Sequence, residues 1–156
     1  MTTINQDAVW KLLDDAQSAF LTTRHHDAIA ARPMALYARR DDNAIYMLTS
    51  AADDKNDAIA DHPEVALTVQ EGRAYLSVSG RATICHDVAK IRALWSPFAK
   101  AWWDSPDDPD IRLITVTPDE AHYWETPGRL LTTIAMLAAA VTGGPPAVGK
   151  DGKVSM

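Results

Sequence analysis

Three residue types that together can hold a phosphate occur within one short stretch, Ala28 to Lys55: a guanidinium at Arg32, a hydroxyl at Thr49 and an ammonium at Lys55. A planar fork of N–H donors, a hydroxyl and a point charge suit a dianion better together than singly. The stretch has one apolar run interrupted by Arg32-Pro33-Met34, a polar turn at Asp41-Asp42-Asn43 and a second apolar run from Ala44 to Thr49, which reads as a hairpin. Pairing of those two strands would bring Arg32, Thr49 and Lys55 to one point. The same pattern also describes an ordinary two-stranded ribbon with a surface arginine and lysine.

The rest of the chain offers no set of nucleophile, base and orienting group, so no catalytic residue is assigned. His25 and His26 are adjacent, point to opposite faces of a strand and read as turn residues rather than metal ligands. His86 and His122 read as surface residues. Cys85 is the single cysteine and is expected to be a small core residue. No Cys or His cluster has metal-binding spacing. Any catalysis would rest on a bound cofactor that the protein positions.

A chain of 156 residues fits one domain with a full hydrophobic core. The formal net charge of −6 argues against nucleic-acid binding, which needs a basic surface. No N-terminal signal pattern is present, and no apolar run approaches the roughly 20 residues of a membrane span. The expectation is a soluble, cytoplasmic protein. Its single domain would cover residues 1–142, and residues 143–156, with a linker's composition, would form a mobile tail.

The elements expected to position these residues begin with a helix over Asp7–Gln17, whose apolar residues Val9, Leu12, Leu13 and Ala16 share a face. Asn5 and Asp7 are candidate caps. Strands are expected at 19–23, across the hairpin at 28–34 and 44–49, at 65–69 and at 74–80, the last placing Tyr75, Ser77, Ser79 and Arg81 on one face. A short helix over Asp53–Asp61 opens on acidic residues that suit its positive end. A second helix is expected over Asp87–Lys100, distorted at Pro97, and a Trp-rich loop over 101–109 would cover the core or face a partner. Strands at 111–116 and 121–124 and an apolar helix over 130–141 complete the pattern. Consecutive strands without regular βαβ alternation indicate a mainly β fold: a six-stranded antiparallel split or closed β-barrel with flanking helices.

Several stretches taken together resemble the pyridoxamine 5′-phosphate oxidase-like family, the FMN-binding split β-barrels, and within it the general stress protein subgroup. They are Leu21-Thr22-Thr23, Ala31-Arg32-Pro33-Met34, Leu48-Thr49 with Lys55, Tyr75 through Ala82, Leu94-Trp95-Ser96-Pro97 with Lys100-Ala101-Trp102, Asp107-Asp108-Pro109-Asp110, Val116-Thr117-Pro118 and Tyr123-Trp124. The similarity runs from about Asp7 to about Thr142. It implies a homodimer with FMN at two equivalent sites between the subunits. By the same resemblance, Arg32 contacts the FMN phosphate or ribityl chain and the backbone of Pro33 and Met34 lies along the isoalloxazine edge. Leu48 and Thr49 give backbone or hydroxyl contacts, and Lys55 binds the phosphate. Tyr75 supplies a side chain to the flavin, and Trp124 supplies an aromatic from the second subunit.

The chain also departs from the family pattern. Asp53 and Asp54 stand where relatives of this subgroup place a serine and an arginine, and carboxylates beside a phosphate repel it. Tyr37 and the segment from Gly128 to Thr133 replace the basic residues that the vitamin oxidase uses on its substrate, so oxidation of pyridoxamine phosphate does not carry over. Three functions follow from the resemblance: an FMN-dependent oxidoreductase taking electrons from a reduced nicotinamide to a small molecule; a flavin-binding or ligand-sequestering stress protein without turnover; and a split barrel that holds haem or a deazaflavin.

Overall fold

The computed structural model describes residues 5–145 and 149–156, apart from the side chains of residues 129–131. Helix α1 (Gln6–Asp15) begins where Asn5 Oδ1 accepts the backbone N–H of Ala8 at 3.1 Å. Its Val9, Trp10, Leu12 and Leu13 face inward at helical spacing. Strands β1 (Ser18–His25) and β2 (Ala28–Ala35) follow, joined by a two-residue turn in which His26 takes the left-handed conformation with φ 52°. Then come β3 (Tyr37–Arg39), a 3₁₀ turn over Arg40–Asp42, β4 (Ala44–Ser50), α2 (Asp54–Asp61), β5 (Glu64–Glu71) and β6 (Ala74–Cys85). Helices α3 (Val88–Leu94) and α4 (Pro97–Lys100), strand β7 (Ile111–Glu125), helix α5 (Arg129–Thr142) and strand β8 (Lys150–Ser155) complete the chain.

The strands form one antiparallel eight-stranded sheet in the order β2-β1-β5-β6-β7-β4-β3, with β8 also paired to β7. It is not closed. Its ends curl until β2 meets β4, giving a split barrel with flanking helices. Alternate residues of β1, β5 and β6 point inward, so that Leu21, Leu67, Leu76 and Val78 meet Val9 and Leu13 of α1 in the main core. Complete burial of a leucine of this kind contributes roughly 1.5–3 kcal/mol. A smaller core of Tyr46, Ile91, Leu94, Ile111 and Leu113 lies beneath α3, and Trp103 packs against it.

Several expectations are corrected. The apolar runs at 28–34 and 44–49 are not partners: β2 pairs with β1 across a two-residue turn, and β4 pairs with β3 and β7. The sheet has eight strands rather than six. The expected strands at 111–116 and 121–124 are one strand, β7, which crosses Pro118 at a register shift opposite Ser79 and Gly80. A Cβ on Gly80 would run into the Thr117 carbonyl oxygen, so the strands approach here only because residue 80 has no side chain. The helix expected over 87–100 is divided at Ser96, whose extended backbone (φ −138°, ψ 163°) is what a residue before proline adopts. Cys85 is exposed at the end of β6 rather than in the core.

Of the segment read as a mobile tail, residues 146–148 lie outside the described residues, whereas Lys150–Ser155 forms β8. One edge of β7 is covered by β4 along residues 111–116, and β8 takes the second half of that edge along residues 120–125. Among the described residues no helix is long and apolar enough to cross a membrane.

Candidate ligand-binding cleft

The open seam of the barrel, where β2 meets β4, holds a cavity of about 320 Å³. Arg32, Pro33 and Met34 reach it from β2, Leu48, Thr49 and Ser50 from β4, Asp53 and Lys55 from the start of α2, and Phe98, Trp102 and Trp103 from α4 and the loop after it. Its size is at the lower end for a small-molecule site, and its combination of aromatic wall and few polar groups is usual for one. Six of the eight residues assigned to the cofactor from sequence therefore line one cavity: Arg32, Pro33, Met34, Leu48, Thr49 and Lys55. They converge through the curl of the sheet, not through the expected hairpin.

The polar end of the cavity is an ion network. Asp53 caps α2, its Oδ1 accepting the Lys55 backbone N–H at 3.0 Å, and its Oδ2 lies 2.5 Å from Lys55 Nζ. The same ammonium donates to Thr49 Oγ1 at 2.7 Å. Lys55 is only 3% exposed, so these two partners make its burial tolerable. Partial burial pushes the Asp53 carboxyl upward, but the hydrogen bonds from the Lys55 side chain and backbone and the charges of Lys55 and Arg32 outweigh it and hold the group below the usual carboxylate range.

Arg32 Nη2 donates to Asp54 Oδ1 at 3.0 Å. Its Nη1 is 3.9 Å from Asp53 Oδ1, a distance that gives Coulombic attraction but no hydrogen bond. Nη1 is thus screened from solvent without an acceptor. An orphaned guanidinium nitrogen is costly, and a bound oxygen would relieve it.

The aromatic wall is tied to the sheet. Trp103 Nε1 donates to Asp110 Oδ2 at 3.2 Å. The Asp110 carboxyl also takes the Ser50 hydroxyl and the Ala51 backbone N–H, and these donors, Ser50 foremost, hold it below its ordinary range. Tyr37 Oη and Ser96 Oγ are 2.8 Å apart, and Ser96 Oγ accepts the Ala99 N–H as the cap of α4. One hydroxyl pair therefore fixes the short helix that carries Phe98 over the cleft. Trp102 is 74% exposed at the cavity mouth.

Sequence reasoning missed Tyr37, Ser50, Phe98, Trp103 and Asp110 as parts of this site. The Trp-rich composition of 101–109 was the available signal for the wall, but nothing local connects Asp110 to Ser50. Tyr75 and Trp124 lie elsewhere in their own chain. They face each other across β6 and β7, 41% and 38% exposed, with Trp124 stacked on His122 at 3.9 Å between ring centres. Tyr75 borders a separate shallow groove with Phe20 and Gln70, and Pro33 lines both depressions.

Comparison with known proteins places this architecture. The family model described as "Pyridoxamine 5'-phosphate oxidase like" matches residues 5–147. General stress protein 26 of Bacillus subtilis (strain 168) is 26% identical over 117 residues, which cover 72% of this chain and 82% of that protein. A solved general stress protein 26 structure from Jannaschia sp. CCS1 superposes with a TM-score of 0.72 at 24% identity, covering 94% of this chain and 95% of that one. The general stress FMN/FAD binding protein of Xanthomonas citri superposes with a TM-score of 0.69 at 24% identity, covering 77% and 87% of the two chains. The chain, matched over almost its whole length, belongs to the pyridoxamine 5′-phosphate oxidase-like family.

Proposed function

We propose that the cleft between β2 and β4 binds a flavin, FMN being the form implied by the family resemblance, and that the protein is a flavin-dependent oxidoreductase acting on a small molecule. The observation that carries this reading is the meeting of Arg32, Pro33, Met34, Leu48, Thr49 and Lys55, from three separate elements, around one aromatic-walled cavity. A relative of the same fold is named as an FMN/FAD binding protein. The residues suit such a group: Met34, Leu48 and Trp103 offer apolar surface to a ring system, and Arg32 Nη1 lacks an acceptor. A bound flavin supplies hydride and electron transfer. The chain's own contribution is to hold the ring and to limit water around it.

The proposed assembly is a homodimer with the ligand site at the subunit interface. Exposed Phe20, Tyr75, Trp124 and Trp102, with Ile134, Met136 and Leu137 on α5, leave apolar surface that a second copy would cover. Purified protein mixed with FMN or riboflavin and then desalted tests the binding. Retained visible flavin absorbance supports it, and bleaching of that band by a reduced nicotinamide supports turnover. A colourless protein whose melting temperature neither flavin moves would remove the proposal.

A further inference from the structure

We propose that Asp53 and Asp54 determine ligand specificity in this cleft: the chain's own carboxylates occupy its anion-binding positions, so that a flavin is held by a neutral polyhydroxyl tail and gains nothing from a terminal phosphate. This inference rests on the flavin reading above. Three devices near the cavity could receive a phosphate: the Arg32 guanidinium, the Lys55 ammonium and the backbone N–H groups at the start of α2. Each already has a carboxylate partner within the chain. Asp54 Oδ1 accepts from Arg32 Nη2 at 3.0 Å, Asp53 Oδ2 lies 2.5 Å from Lys55 Nζ, and Asp53 Oδ1 accepts the Lys55 backbone N–H at 3.0 Å.

Two cations thus face two carboxylates, and the network is neutral before any ligand arrives. A phosphate monoester brings about −1.5 to −2 charges at pH 7. To take Asp53's place on Lys55 it would have to break the ion pair and uncap α2 together. Otherwise it would sit beside both carboxylates and be repelled. What the network leaves open is of another kind. Arg32 Nη1 needs an acceptor oxygen, not a counter-charge, because Asp54 already balances that guanidinium. Thr49 Oγ1 accepts from Lys55 and keeps its own proton. Asp53 and Asp54 retain lone pairs that accept O–H donors, which alcohols have and a phosphate dianion lacks. A chain of hydroxyls fits this pattern of donors and acceptors.

The test is titration of riboflavin and FMN, at one ionic strength, onto the wild-type protein and onto the Asp53→Ser/Asp54→Arg variant, read by flavin fluorescence. Serine keeps a side-chain cap on α2. The wild type is expected to bind the two flavins within about threefold of each other, and the variant to bind FMN at least about tenfold more tightly than wild type while binding riboflavin no more tightly than wild type does. Asp54→Arg alone, at a side chain 82% exposed and not part of the cap, should shift FMN affinity in the same direction if the double variant does not fold. A wild-type preference for FMN of about tenfold or more, or variants whose FMN affinity does not move, would overturn the inference while leaving flavin binding intact. Failure of the wild type to bind either flavin would overturn the flavin reading itself.

Discussion

Lys55 Nζ lies 2.5 Å from Asp53 Oδ2, so the ammonium lining the cleft is paired within the chain before any ligand is bound. Because Asp53 also caps α2, one side chain couples the start of that helix to the polar end of the cleft. Asp53→Ala removes both functions and leaves a buried ammonium with Thr49 as its remaining partner. The expected loss is roughly 2–4 kcal/mol, combining an unpaired buried charge with a lost cap. Asp53→Ser keeps the cap and should lose less. Urea unfolding of the two variants checks the order, and equal losses would show that the cap adds nothing beyond the ion pair.

Among the described residues three carboxyl groups titrate below their ordinary range, Asp42, Asp53 and Asp110, and the last two belong to the cleft. Asp53 and Asp110 both titrate lower in the folded chain than the ordinary carboxylate value of about 4. Their contribution to stability is therefore complete above that value and is lost as the pH falls through the folded ones. Thermal melts between about pH 6 and pH 3 should show the midpoint falling at the acid end. Asp110→Asn should flatten that fall. An unchanged slope would show that Asp110 is not one of the groups responsible.

Trp103 is held against the cleft by Asp110, which also binds Ser50 and the Ala51 N–H at the end of β4. Asp110→Ala should free the indole and weaken flavin binding by roughly fivefold, on the scale of a lost polar contact. Titration by flavin fluorescence reads this. Wild-type affinity in the variant would mean that the indole needs no anchor.

Gly80 permits the close approach of β6 to β7 at the register shift beside Pro118. Gly80→Ala would press a methyl group onto the Thr117 carbonyl, a backbone atom that cannot swing aside. A loss of roughly 1–3 kcal/mol in chemical denaturation is expected. A loss below about 0.5 kcal/mol would show that the bulge relaxes without cost.

Much of the site could be read from the chain because its ligand-facing residues occur in short runs, Arg32-Pro33-Met34 and Leu48-Thr49, with Lys55 at the second position of the next helix. Their convergence was legible, but the route was not. Local pattern suggested that the second and fourth strands pair, whereas the turn at His26 commits β2 to β1, and only the curl of the whole sheet brings β2 back to β4. Partnerships set by distant residues left no local mark: Asp110 with Ser50, and Tyr37 with Ser96. Pro118 hid the continuity of β7 because proline usually ends a strand, and here it falls at a bulge. Strand β8 was hidden by its own composition. Lys150, Asp151 and Gly152 have weak strand preference, and the free edge of β7 decides their conformation.

The most direct measurement is a titration of riboflavin onto wild-type protein and onto Arg32→Ala, followed by flavin fluorescence and by melting temperature. The expected result is saturable binding to wild type with a rise in melting temperature, weakened about tenfold or more in the variant. Unchanged fluorescence and an unchanged melting temperature in wild type at saturating flavin, or equal binding by both proteins, would contradict a flavin site between β2 and β4.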